Sequence, residues 1–184
     1  MRKVIYAINV SIDGCLDHTK MIGNEDILTY FANLLQDAGL LLYGRVTYQL
    51  MVPYWPDVAK DQSMSNTPSN VFATTFDSID KAVFSTSLER VEGNTRIFRS
   101  DLSEEIQKLK REPGKNIYVG GVDLPSQLIA HGLVDEFYFV IHPIIAGEGK
   151  HLMEGISLQN RLQLSLADSK PFGSGFVANH YIKQ

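Results

Sequence analysis

The sequence predicts an α/β domain with a mixed sheet whose C-terminal part is antiparallel, covered by helices. Three observations carry this. Early segments alternate between strand and helix character, and the C-terminal end is rich in strands. The length of 184 residues, with 44% hydrophobic and 21% charged residues, fits one globular domain spanning 1–184. A chain of this size can bury roughly 70% of its unfolded surface and needs no disulfide or metal staple.

The elements follow in order. Val4 to Val10 is an apolar, β-branched run, read as a buried strand, and Ser11-Ile12-Asp13-Gly14 ends it with turn chemistry. Asn24, Glu25 and Asp26 suit a helix start. Ile27, Phe31, Leu34, Leu35 and Ala38 recur at helical spacing, and Gly39 is read as the helix end. Leu40 to Tyr43 forms a second strand, Gly44-Arg45 a turn, and Val46 to Met51 a helix. Pro53 to Pro68 is read as an irregular surface excursion, after which Phe72 and Phe76 return the chain to the core. Lys81 to Ser85 and Arg96 to Phe98 are strands. Asp101 or Ser103 caps a helix that runs through Ile106, Leu109 and Arg111 to Pro113-Gly114. Asn116 to Val119 is a strand, Gly120-Gly121 a tight turn, and Asp123 to His131 a helix with Pro125 in its first turn. Glu136 to Ile141, a half-buried alternation at Leu162, Leu164 and Leu166, and Phe176 to Ile182 complete the strands.

Composition narrows the function. The net charge of −4, without a cluster of Lys or Arg, argues against a nucleic-acid binder. No apolar run approaches the ~20 residues of a membrane helix. The single cysteine, Cys15, cannot form an intrachain disulfide, and the N-terminus runs straight into a strand without a signal-peptide pattern. The expected location is the cytoplasm. His18, His131, His142, His151 and His180 show no metal-ligand spacing, so no metal is expected.

Two strand–glycine–helix junctions carry chemistry. In Leu41-Leu42-Tyr43-Gly44-Arg45-Val46-Thr47-Tyr48, a helix start offers free N–H groups to a phosphate, and Arg45 supplies a planar fork. The plain alternative is a β-to-α turn with a solvated arginine. In Ile117-Tyr118-Val119-Gly120-Gly121-Val122-Asp123-Leu124, two glycines allow backbone contact with a pyrophosphate or simply a tight turn. Ser85-Thr86-Ser87 ends a strand in hydroxyls, which can donate to phosphate or form an ordinary turn. Pro143 to Lys150 reads as a glycine-rich turn. Two carboxylates compete for proton transfer. Asp13 is otherwise a turn residue, and Asp26 otherwise a helix-start residue.

In their joint order these segments resemble the dihydrofolate reductase-like superfamily, in its bacterial branch related to the C-terminal reductase domain of riboflavin biosynthesis. The resemblance runs through Ser11-Ile12-Asp13-Gly14, Tyr43 to Tyr48, Tyr54-Trp55-Pro56, Val83 to Leu88, Val119-Gly120-Gly121, Gly132 to Glu136 and Pro143 to Gly149. It implies a three-layer αβα arrangement around a mixed, mostly eight-stranded sheet. It also implies NADPH as hydride donor. Gly44, Arg45 and Thr47 would hold phosphates, with Arg45 near the 2′-phosphate and Ser85 and Thr86 at the same end. Gly120 and Gly121 would approach the pyrophosphate, assisted by N–H groups from Val122 to Leu124. Ala7 and Ile8 would lie near the nicotinamide. The substrate half departs from the pattern. Cys15-Leu16-Asp17-His18-Thr19-Lys20 stands where the riboflavin-pathway enzymes carry a basic Gly/Ser-rich stretch, and the deaminase domain often fused to them is absent. The expectation is an NADPH-dependent reductase of a small pteridine- or ribityl-pyrimidine-like molecule, acting as a homodimer. The alternative is a non-catalytic nucleotide-binding or oligomerisation domain with the same fold.

Overall fold

The computed structural model describes residues 1–184, with Gln62 described by its backbone alone. Eight strands form one sheet. They are β1 (Val4–Ser11), β2 (Ala38–Gly44), β3 (Lys81–Phe84), β4 (Thr95–Phe98), β5 (Asn116–Val119), β6 (Glu136–His142), β7 (Leu164–Pro171) and β8 (Val177–Lys183). Five helices join them: α1 (Glu25–Leu34), α2 (Arg45–Lys60), α3 (Pro68–Ser78), α4 (Leu102–Arg111) and α5 (Asp123–Ala130). The sheet order is β4-β3-β2-β5-β1-β6-β8-β7. The strands from β4 to β6 are mutually parallel, while β8 runs antiparallel to both β6 and β7. This is the mixed sheet with an antiparallel C-terminal part that the strand pattern predicts.

Alternation along the strands builds two cores. On one face Ile5, Leu41, Tyr43, Val83 and Tyr118 meet side chains of α1, α2 and α3, among them Ala32, Tyr48, Val52, Phe72 and Phe76. On the other, Val4, Tyr6, Leu40, Leu42, Ala82 and Val119 meet Ile106 and Leu109 of α4 and Leu124 and Leu128 of α5. The layers are therefore αβα. Ile27, with Val140, Phe176 and Ala178, seats the start of α1 over β6 and β8.

Several boundaries differ from the sequence reading. Helix α2 continues through Pro53 and Pro56 to Lys60. A proline inside a helix costs about 3 kcal/mol. Here Val52 is buried and Trp55 packs against Phe72 with ring centroids 4.5 Å apart, and this packing offsets that cost. The supposed excursion also contains the start of α3. Thr67 accepts a hydrogen bond from the Asn70 N–H, and Pro68 occupies the first turn. Gly39 does not end a helix. It lies within β2, where a Cβ would stand 3.0 Å from Lys115 Cβ and 3.2 Å from its carbonyl oxygen, so its role is close approach to the turn before β5. The Leu162–Leu166 alternation is not a half-buried strand. Leu162 lies outside β7, which is mostly exposed.

Candidate active site

The chain leaves β1 in one direction to build β2, β3 and β4, and later crosses to the other side to build β6 and β8. Open α/β sheets hold ligands outside the carboxyl ends of their strands at such a divergence. Strand lengths leave a gap there. β5 pairs with β1 only from Val4 to Tyr6, whereas β6 pairs with it from Ile5 to Ser11. Beyond Tyr6, no strand covers the β5-facing edge of β1. Ala7 and Ile8 lie on that uncovered length.

Two helix starts flank the gap. The first residues of a helix carry N–H groups without helical partners. Asn24 and Asp101 cap α1 and α4 with side-chain oxygens, as Thr67 caps α3. Helices α2 and α5 have Gly44 and Val122 at their cap positions, and neither has a side-chain cap. These two starts follow β2 and β5, which are neighbours in the sheet, and they touch. An added Cβ at Gly44 would stand 3.8 Å from Leu124 Cβ, and one at Gly121 would overlap Thr47 Oγ1. At Gly120 it would come within 2.7 Å of the Tyr43 ring. Gly121 has φ +92°, a conformation that favours glycine. Buried Tyr6 fixes the turn by donating from its hydroxyl to the Gly121 carbonyl at 3.0 Å.

Gly44, Thr47, Gly120, Gly121, Val122 and Leu124 thus come together around one cradle. Ser85 and Thr86 follow β3, one strand further along, where Gly44 is in register with Phe84. Ser85 Oγ accepts the Leu88 N–H at 2.9 Å and keeps its own proton to donate. Arg45 is exposed and lies along its own helix, donating to Gln49 Oε1 at 3.0 Å. Asp123, in the first turn of α5, is matched by Lys150, whose Nζ stands 3.1 Å from both carboxylate oxygens.

The two candidate acids stand apart from the cradle. Asp13 accepts the Ser11 hydroxyl at 2.5 Å, the Ala146 N–H at 3.0 Å and the Gly147 N–H at 2.8 Å. These bonds, the hydroxyl first, hold its carboxyl far below the usual carboxylate range. Asp13 therefore acts as a clamp between residues 12–24 and the turn after β6. Other links follow the same line: Ile12 N–H to Ile144 O at 2.9 Å, Leu16 N–H to Lys150 O at 2.8 Å, and the Lys20–Glu148 ion pair at 2.8 Å. Asp26 is exposed and accepts the Ser174 hydroxyl at 3.3 Å.

Sequence reasoning passed over two residues. Asn9 sits on β1 beside Ala7 and Ile8, and its Oδ1 is buried without a hydrogen-bond partner. A lone amide within an otherwise apolar strand was the available signal. His142, at the end of β6, is 1% exposed and accepts the Ile22 N–H through Nδ1, which adds a further anchor for residues 12–24. Burial lowers its pKa, so it stays neutral.

The clamp yields a prediction. In Asp13→Asn an amide NH2 would face one of two backbone donors, so the Ala146 and Gly147 amides should lose hydrogen-exchange protection. Because the folded-state pKa is depressed, the clamp contributes stability above the ordinary carboxylate pKa of about 3.9 and loses it as the pH falls further. The difference between variant and unaltered protein should be constant from neutral pH to about 5 and shrink below about 4. Unchanged exchange at both amides would show that the carboxylate does not hold the turn.

With this geometry the fold is dihydrofolate reductase-like. The chain matches the RibD C-terminal domain family over residues 2–178, and it belongs to that family. It is 31% identical over 182 residues to the uncharacterised Bacillus subtilis protein YyaP, covering 96% of this chain and 92% of that one. A putative riboflavin biosynthesis protein from a Shewanella species superposes with a TM-score of 0.75 at 18% identity, over 100% of this chain and 99% of that one. Dihydrofolate reductase from Enterococcus faecalis, solved with NADP(H), superposes with a TM-score of 0.65 at 12% identity, over 99% and 96%. Among the described residues, no helix is long and apolar enough to cross a membrane.

Proposed function

We propose that this chain is a cytoplasmic NADPH-dependent reductase of a small heterocyclic or carbonyl molecule of the pteridine or ribityl-pyrimidine kind. The observation that carries the reading is the meeting of the two uncapped helix starts, α2 and α5, at adjacent strand ends with glycine at each contact. Free N–H groups and positive dipole ends suit a pyrophosphate. The residues fit the cofactor's phosphates: Gly44 leaves room at the start of α2, Gly120 and Gly121 let the β5–α5 turn close against Tyr43 and Thr47, Thr47 offers a hydroxyl, Val122 to Leu124 offer backbone donors, and Ser85, Thr86 and Arg45 would stand on the adenosine side. Ala7 and Ile8, on the uncovered edge of β1, would take the nicotinamide end. When bound, the cofactor supplies the hydride, and the protein's part is to orient it against the substrate.

One observation favours the second reading, a nucleotide-binding or oligomerisation domain without catalysis. Asp13 is fully engaged as a clamp, and Asp26 bonds a distant turn, so neither is a free acid at the gap. A fluorescence titration with NADPH, followed by cofactor oxidation assays with pteridine and ribityl-pyrimidine substrates, separates the readings. Saturable binding with turnover supports the reductase, binding with no turnover on any substrate supports the second reading, and no binding overturns both.

The protein is also expected to pair with itself. Val10, Phe139, Ile141 and Tyr181 line a groove of about 350 Å3 on one sheet face, and Leu166, cross-strand from Tyr181, is 57% exposed. Edge strands and open apolar faces are usually covered. Light scattering at micromolar concentration should give twice the 20.6 kDa chain mass, and a particle of 20.6 kDa would refute the pairing.

A further inference from the structure

At the opposite end of the sheet from Gly44 and Gly121, the starts of β2, β3 and β4 and the turn before β5 frame an open cavity of about 520 Å3. Arg2, Arg96, Lys115 and Glu112 line it, and Gly93 and Gly114, both with positive φ, leave its rim without side chains. Arg2 is the informative residue. It is 7% exposed, yet of its five N–H donors only Nε makes a hydrogen bond, to the Lys115 carbonyl at 2.6 Å. Glu112 stands 3.7 Å from Nη1, beyond hydrogen-bond length, and is itself half-exposed.

The Nη groups of Arg2 have no protein acceptor within hydrogen-bond length and open onto the groove. A guanidinium so placed suits an anion. Burial first, and the positive charge of Arg96 in addition, work against the charged form of Arg2, while Glu112 works for it. The other lining cations are occupied: Lys81 Nζ donates to Ile79 O and Asn94 Oδ1, and Lys115 Nζ to Gln36 O. Two guanidinium groups, Arg2 with its Nη donors unpaired, and two side-chain-free turns thus converge on one groove.

We propose that this cavity is a second binding site, which takes a small-molecule oxyanion, a phosphoryl group or a carboxylate, between Arg2 and Arg96. The planar forks of the two arginines match either group. Its volume lies in the range of small-molecule sites. The site is independent of the proposed cofactor cradle, because the length of β2 and β5 separates them.

The test is calorimetric titration at fixed ionic strength with inorganic pyrophosphate and, separately, with citrate, each with saturating NADPH present so that the proposed cofactor cradle is filled. It is run on the unaltered protein, Arg96→Gln, Glu112→Gln and Arg45→Ala. Arg2 is left in place because its Nε holds the turn before β5, and Arg96 and Glu112 are exposed enough to replace without unfolding the protein. One anion or both should bind saturably. Arg96→Gln should weaken that binding about tenfold or more, on the scale of a charge-assisted hydrogen bond. Glu112→Gln, which removes the competing carboxylate, should tighten it severalfold. Arg45→Ala, at the far end of the sheet, should leave it unchanged. Pyrophosphate alone binding assigns a phosphoryl ligand, citrate alone a carboxylate, and either result supports the site. No saturable binding of either anion, binding indifferent to both Arg96→Gln and Glu112→Gln, or binding lost in Arg45→Ala alone overturns it.

Discussion

Gly121→Ala is expected to lower both stability and NADPH affinity, the affinity by 100-fold or more. Stability falls for reasons internal to the chain. Residue 121 has φ +92°, where a side chain costs about 1–3 kcal/mol, and the new methyl would overlap Thr47 Oγ1. Relief of that overlap requires the β5–α5 turn and the start of α2 to move apart. Those are the two sets of N–H donors assigned to the phosphates, and hydrogen bonds weaken steeply as they lengthen. Two or three weakened charge-assisted bonds amount to several kcal/mol, or at least two powers of ten in affinity. The double variant Gly121→Ala, Thr47→Ala removes the overlap but not the φ strain. It should regain part of the stability, read by urea unfolding, while cofactor affinity stays low because Thr47 is lost from the cradle. Reduced stability with unchanged affinity in Gly121→Ala would mean that the glycine serves the turn alone and that the pyrophosphate lies elsewhere.

The same contact shows how much of the cradle the sequence could carry. The strand–glycine–helix pattern at 41–48 and 117–124 located both helix starts, because short apolar runs, glycines and helix-start residues are local signals. That β2 and β5 are neighbours is a long-range fact. The spacing of 41–48 and 117–124 is silent on it, and so on the touch between Thr47 and Gly121. Asp13 makes the point in reverse. A turn aspartate bonding its own neighbourhood was the plain local reading, which the Ser11 hydroxyl fits, but the other two partners, Ala146 and Gly147, lie far along the chain. The boundaries misread at α2 and α3 have one cause. Proline was weighed as a helix breaker, but the burial of Val52 and the packing of Trp55 on Phe72 decide the matter, and neither can be seen before the chain is folded. The Arg2 cavity left no trace at all in the sequence, since its lining comes from five separate stretches whose residues are ordinary one by one.

Arg45→Ala is expected to abolish a preference for NADPH over NADH while leaving NADH affinity and stability nearly unchanged. Arg45 opens α2 one residue after Gly44 and is exposed, so its loss should move stability by no more than about 0.5 kcal/mol. In the free protein its guanidinium donates to Gln49 Oε1 at 3.0 Å. That bond is exposed, so it is readily exchanged for water or for a stronger acceptor. A 2′-phosphate is such an acceptor, because the planar fork can bind two of its oxygens at once. Charge-assisted bonds of this kind are worth about 1.5–3 kcal/mol, a preference of roughly 10- to 150-fold. Arg45→Lys keeps the charge without the fork and should retain part of the preference. Gln49→Ala removes the competing acceptor and should raise it slightly. Titrations of all four proteins with both cofactors decide the assignment. If Arg45→Ala weakens NADPH and NADH equally, the arginine faces the pyrophosphate. If the unaltered protein binds both cofactors equally, Arg45 reads no 2′-phosphate, and its place beside the cradle is that of a helix-start residue bonded to Gln49.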